Sequence, residues 1–293
     1  RFNQVENNTN NHAIFALNGQ LDETTSYTFE FQNTSNDNYL KIHDFANVAE
    51  TNPLVSRINP SLQTSFLKFE KQIDDDTDLA SSMRIYEDTT VTKESDRYQY
   101  IFPDFSFRKR INLDESYDGF FDFGSSGHQK HYDTNVYEAQ VNNNFNFRSF
   151  DYFTDSGLLS NYNLNLINLN TYSNNSQALE KNNNHNLLGS MSFSTSYPLK
   201  KKFSNSTNYL KPKAQFKFSP TNTGDSSGDS IRLNYDNLFS SNRIRSAEVE
   251  EGRSLTIGLE FEKQNLINEK IMSFNLGSVI KDKKNSSMPS SSK

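Results

Sequence analysis

Apolar and polar residues alternate along most of this chain, most cleanly between residues 208 and 263. Leu210, Pro212, Ala214, Phe216 and Phe218 fall on one parity, and Lys211, Lys213, Gln215 and Lys217 on the other. Downstream, Leu255, Ile257, Leu259 and Phe261 alternate with Thr256, Gly258, Glu260 and Glu262. A period of two puts successive side chains on opposite faces of a β-strand. Each of these strands therefore has one apolar and one charged face. In a soluble sandwich the apolar faces meet in a core. In a membrane barrel they face lipid, and the charged faces line a wet interior.

The same reading predicts about twelve strands of the length a barrel needs. They fall at 12–22, 25–33, 60–71, 78–88, 96–111, 116–126, 134–149, 158–172, 186–198, 207–219, 253–264 and 269–281. Segments 60–71 and 158–172 carry apolar residues on both parities, which weakens their register. Connections near 22–25, 72–78, 112–116, 150–157, 199–206 and 265–268 are short, and 34–59, 173–185 and 220–252 are long. Outer-membrane barrels pair short periplasmic turns with longer outer loops, which predicts a periplasmic position for the short set. The segments 89–95 and 127–133 are short on the predicted outer side and fit this less well. Pro103 and Pro212 interrupt good strands, and each predicts a bulge, an edge or a strand end because proline lacks a ladder donor.

Composition sharpens the choice. Hydrophobic residues make up 33% of the 293, yet aromatic residues reach 13%. Mean hydropathy is −0.82. A disordered chain this polar is poor in aromatics. Barrel strands resolve the conflict, since only alternate residues need be apolar. The net charge of −6 leaves Arg108-Lys109-Arg110 and Lys200-Lys201-Lys202 as isolated basic runs, so no nucleic-acid partner is expected. With no cysteine, internal disulfides and thiolate metal sites are excluded. His128 and His131 stand three apart in a polar stretch read as a loop, and Asp74, Asp75, Asp76 and Asp78 lack the spacing of a calcium loop. No metal, cofactor or enzymatic activity is expected. Both ends read as cut, so residues 1–293 are expected to form a partial outer-membrane β-barrel domain without its N-terminal periplasmic domain and C-terminal strands.

Several motifs in order carry a resemblance. Leu210-Lys-Pro-Lys begins a strand that ends in Ser219-Pro220. Asp236-Asn-Leu-Phe-Ser-Ser-Asn-Arg243 follows, then Glu251-Gly-Arg-Ser-Leu-Thr-Ile-Gly-Leu-Glu260. Earlier stand Asn36-Asp-Asn-Tyr-Leu40 and Arg97-Tyr-Gln-Tyr-Ile-Phe-Pro103, and later Asp282-Lys-Lys-Asn-Ser-Ser-Met-Pro289. The set resembles the LptD family of lipopolysaccharide-assembly (organic-solvent-tolerance) outer-membrane proteins, in an alphaproteobacterial style. The resemblance implies an all-β, antiparallel transmembrane β-barrel, of which this chain is a fragment of about twelve strands. It also implies a place in the bacterial outer membrane, in contact with its lipid, and insertion of lipopolysaccharide into the outer leaflet. An LptE-like lipoprotein plug and an LptA-like periplasmic bridge protein are the implied partners. A general porin or solute channel, or a secreted β-rich adhesin, are the alternative functions.

Two groups of residues become candidates. Lys211, Lys213 and Lys217, with Glu260 and Glu262, form a charged face that either lines a lipopolysaccharide path or is an ordinary solvated polar surface. Asp236, Asn237, Phe239, Asn242 and Arg243 lie in a connection too long for a simple hairpin, and long loops tend to be functional. The resemblance implies that this loop folds toward the barrel interior. The alternative is a surface loop with a short helical turn.

Overall fold

The computed structural model describes residues 11–42, 59–113, 118–179, 183–220, 232–240, 243 and 250–282. Fourteen strands account for most of them: β1 (His12–Gln20), β2 (Thr25–Thr34), β3 (Leu62–Asp74), β4 (Thr77–Asp88), β5 (Tyr98–Asn112), β6 (Gly119–Tyr132), β7 (Val136–Ser149), β8 (Tyr152–Phe153), β9 (Leu159–Asn174), β10 (Asn184–Ser196), β11 (Leu199–Lys202), β12 (Thr207–Ser219), β13 (Gly252–Gln264) and β14 (Lys270–Lys281). Among the described residues, three single-turn helices interrupt the connections: α1 (Tyr39–Ile42), α2 (Glu94–Arg97) and α3 (Tyr235–Leu238).

The protein is all-β. Its strands form one antiparallel sheet in the order β1-β2-β3-β4-β5-β6-β7-β9-β10-β12-β13-β14, with β8 beside β9 and β11 beside β12. The order runs from β1 to β14 without returning, so among the described residues the sheet is open and not closed into a barrel. Twelve of the strands lie at the predicted segments, with ends shifted by a few residues. The small strands β8 and β11 were not predicted; they occupy the connections 150–157 and 199–206.

The expected loop around His128 and His131 is instead strand: β6 runs to Tyr132, and a three-residue turn leads to β7. Its second half, Gly127-His-Gln-Lys-His, lacks an apolar parity, and the long partner strand holds it through backbone pairing. Gly127 permits the close approach, because a Cβ there would stand 2.6 Å from the Gln140 carbonyl oxygen. Both prolines lie where the ladder allows them. Opposite β5, Ser82 pairs with Asp104 and Arg84 with Ile101, so Phe102 and Pro103 bulge against Met83 alone. Pro212 falls where the neighbour of β12 changes: β10 ends with Ser196 opposite Lys213, and β11 begins with Leu199 opposite Leu210.

Contacts gather the chain into two compact units, the first comprising 1–109, 124–143 and 169–185 and the second 110–123, 144–168 and 186–293. In the first unit, Leu17, Phe29, Leu67 and Met83 form one row across β1 to β4. On the opposite face, Glu30 and Gln32 are buried and hydrogen-bonded at 2.5 Å, and Lys68 pairs with Glu70 at 2.7 Å. Arg97 of α2 joins Glu87 at 2.6 Å and the Asp37 carboxylate, so two of the motif segments quoted above meet in space.

The distribution of burial is the inverse of a soluble core. Among the described residues only Leu40, Ile167, Leu188 and Leu238 are buried apolar side chains. The largest fully buried side chains include Lys217, Gln63 and Glu30, while Phe15, Leu17, Phe193, Phe216, Leu255, Ile257 and Leu276 are exposed. Burial of charge normally needs pairing to offset desolvation, and large exposed apolar surfaces mark contact with something other than water.

Candidate functional site

The second unit carries the candidate site on the polar face of β12 and β13. Register puts Lys211 opposite Glu260, Lys213 opposite Gly258, Lys217 opposite Ser254 and Tyr209 opposite Glu262, so all five expected charged residues share one face. The apolar parity occupies the other, in rows such as Pro212-Leu259-Leu276 and Phe216-Leu255-Ile280.

Part of the β12–β13 connection lies on the charged face. Helix α3 starts with a reciprocal cap: the Asn237 amide donates to Asn234 Oδ1 at 3.1 Å, and the Asn234 amide donates to Asn237 Oδ1 at 3.0 Å. The cap aims Tyr235 and Phe239 at the sheet, their rings 5.9 Å apart and edge to face. Both settle over glycines, and Gly258 and Gly277 are paired across β13 and β14. A Cβ on Gly258 would come within 2.6 Å of the Phe239 ring, and one on Gly277 within 3.4 Å of Tyr235. Polar contacts fix the same turn. Gln215 Nε2 donates to the Phe239 carbonyl at 2.9 Å, and Tyr235 Oη donates to Glu260 Oε1 at 3.0 Å. Lys213 Nζ reaches the same carboxylate oxygen at 2.9 Å and lies 4.5 Å above the Phe239 ring. Burial and the neighbouring Glu260 carboxylate raise the Tyr235 phenol above its ordinary value, so it stays a donor.

Deeper on the face, Arg243 is almost wholly buried. Its guanidinium donates to Glu250 Oε2 at 2.8 Å, Thr256 Oγ1 at 3.1 Å and Ser254 Oγ at 2.7 Å. Glu250 also meets Lys281 Nζ at 2.5 Å and Lys217 Nζ at 4.0 Å. One carboxylate thus serves three cations, two of them from strands β12 and β14 and one from the loop.

These contacts bring together Lys213, Lys217, Glu260, Asn237, Phe239 and Arg243 of the expected residues. Lys211 lines a neighbouring cavity of about 420 Å³ with Arg148, Asn161, Asn163 and Phe239. Glu262 is bound to Lys270 at 3.1 Å and lines a second cavity with Lys211 and Glu260. Asp236 is exposed in the first turn of α3, outside the contact set. Asn242 lies outside the described residues. Sequence reasoning did not single out Tyr235, Glu250, Ser254, Thr256, Gly277 or Lys281 as site residues. The available signal was Gly258 and Gly277, small residues in otherwise bulky strands, which mark a close approach.

The cavity wall combines amides, hydroxyls, an aromatic ring and the cations Arg148, Lys211 and Lys213 with one carboxylate, Asp151, which accepts from the Asn161 amide at 2.7 Å; the excess of cations suits a polar, anionic group. Among the described residues no cluster of His, Cys, Asp and Glu could hold a metal ion. No family model matches this chain, and no curated protein matches it in sequence.

Proposed function

We propose that this chain forms part of the wall of an outer-membrane barrel that passes lipopolysaccharide to the outer leaflet, as the LptD resemblance implies. The inverted burial is the observation that carries the reading: apolar rows are exposed while α3 and Arg243 lie over part of the charged face. The dimensions support it. On the apolar face of β13 the four positions Leu255, Ile257, Leu259 and Phe261 are bracketed by Arg253 and Lys263. At about 3.3 Å per residue these brackets are roughly 33 Å apart along the strand. A tilt of about 40° reduces that to roughly 25 Å, the height of an outer-membrane apolar band.

In this reading the polar face of β12 and β13 is the wall of the lumen, and the segment carrying α3 narrows it. The cations Lys211, Lys213 and Arg148 offer point charges and a guanidinium to phosphorylated sugars, while acyl chains keep to the apolar side. An LptE-like plug and an LptA-like bridge belong to the same proposal. A photo-crosslinker at Lys213 in the complete protein, expressed with its lipoprotein partner, tests the path. Lipopolysaccharide should be captured from Lys213 and not from the exposed charged turn at Asp76. Capture at neither position, with the protein correctly in the membrane, would leave a solute channel as the better reading. Recovery of the protein in the aqueous fraction would favour the adhesin.

A further inference from the structure

A second charged row lies on the apolar face, away from the site above. Lys201, Asn208, Lys263 and Met272 stand side by side across β11, β12, β13 and β14. The next row on the same face is wholly apolar: Leu199, Leu210, Phe261 and Phe274. Two lysines therefore interrupt the apolar surface at the end of the sheet that carries the short turns, where Phe203, Leu266 and Ile267 are exposed beyond them. All four residues of β11 are exposed. Lys201 Nζ lies 5.1 Å over the Phe203 ring, and Lys200 Nζ lies 5.2 Å over Tyr209. The nearby carboxylates are engaged elsewhere: Glu262 with Lys270 at 3.1 Å, and Glu269 with the Asn265 amide at 2.9 Å.

We infer that Lys201 and Lys263 contact the phosphates of anionic phospholipids in the leaflet on the short-turn side. The inference rests on the reading that the apolar face meets hydrocarbon. Lysine stems then lie along that surface and carry their ammonium groups out to headgroup level. An aromatic ring such as Phe203 suits the same depth. The fit to an anionic headgroup follows from charge: two lysines in one row at the rim, with Glu262 already paired to Lys270, face a negatively charged surface favourably.

Spin-labelled phosphatidylglycerol and phosphatidylcholine in bilayers holding the full chain provide the test. The immobilised lipid shell should prefer phosphatidylglycerol, and added salt should abolish the preference. The double variant K201Q/K263Q should lose about fivefold in preference per lysine, with its phosphatidylcholine shell unchanged. Equal association of the two lipids with the unaltered protein, or an unchanged preference in the variant, overturns the inference while the membrane reading stands. No immobilised shell with either lipid overturns both. Should the variant fail to insert, the salt titration of the unaltered protein decides, and a preference insensitive to salt contradicts the inference.

Discussion

Arg243 and Glu250 lie in the same connection, and their side chains meet at 2.8 Å with both almost wholly buried. The pair ties the β12–β13 segment down at the point where Ser254 and Thr256 of β13 accept from the same guanidinium. Removing one partner of a buried pair leaves an uncompensated charge and costs about 3–5 kcal/mol. Glu250→Gln leaves Arg243, Lys217 and Lys281 facing one another and should release the segment. Arg243→Met should do less harm, because Glu250 keeps Lys281 at 2.5 Å. A spin label at exposed Asp236 reads the difference: mobile in the first variant, largely restrained in the second. Equal mobility in both would remove the carboxylate from its central place.

Acid should act on the same carboxylate. Burial favours its neutral form, but the charges of Arg243 and Lys281 outweigh that and hold Glu250 below the usual carboxylate range. A depressed folded value means that the stabilisation is present above the ordinary glutamate value of about 4.3 and is lost as pH falls through the lower folded value. The Asp236 label should therefore stay restrained at neutral pH and loosen progressively below about pH 4. A line shape that loosens instead between neutral and mildly alkaline pH would contradict this sign.

Gly258 and Phe239 form a second test. The Phe239 ring occupies the space a Cβ would need, at 2.6 Å. Gly258→Val should displace the ring and loosen the segment, and the change should be largely absent when Phe239 is already Ala. The coupling between the two positions should be on the order of 1–2 kcal/mol, as expected for residues in direct contact. A double-mutant cycle on unfolding in bilayers measures it, and additivity would show that the ring does not depend on the glycine.

Most of the sheet was legible because strand period and face polarity are local properties of the sequence. Residues 207–219 and 252–264 announce both their strands and the face each side chain takes. The second half of β6 was missed for the same reason: Gly127 to His131 has no apolar parity, and only pairing with β7 makes it a strand. The charged face of the candidate site was readable from Lys211, Lys213, Lys217, Glu260 and Glu262. Its connection to Glu250 and Lys281 was not, since it depends on where Arg243 and Glu250 come to rest against residues of three different strands. Pro103 and Pro212 were readable as interruptions, but their form, a bulge in one and a change of neighbour in the other, is set by partner strands.

In the proposed function, the apolar rows of β12, β13 and β14 meet hydrocarbon. Leu259 lies near the middle of the apolar band and Met272 in the row with Lys201 and Lys263. The stability of the complete protein in bilayers, measured for Leu259→Arg and Met272→Arg, decides whether they do. Arginine on the lipid face costs about 2–4 kcal/mol at the midplane and about 0–1 kcal/mol near the interface. Leu259→Arg should destabilise by the first amount and Met272→Arg by the second; equal costs, or the reverse order, would mean that these rows do not face lipid.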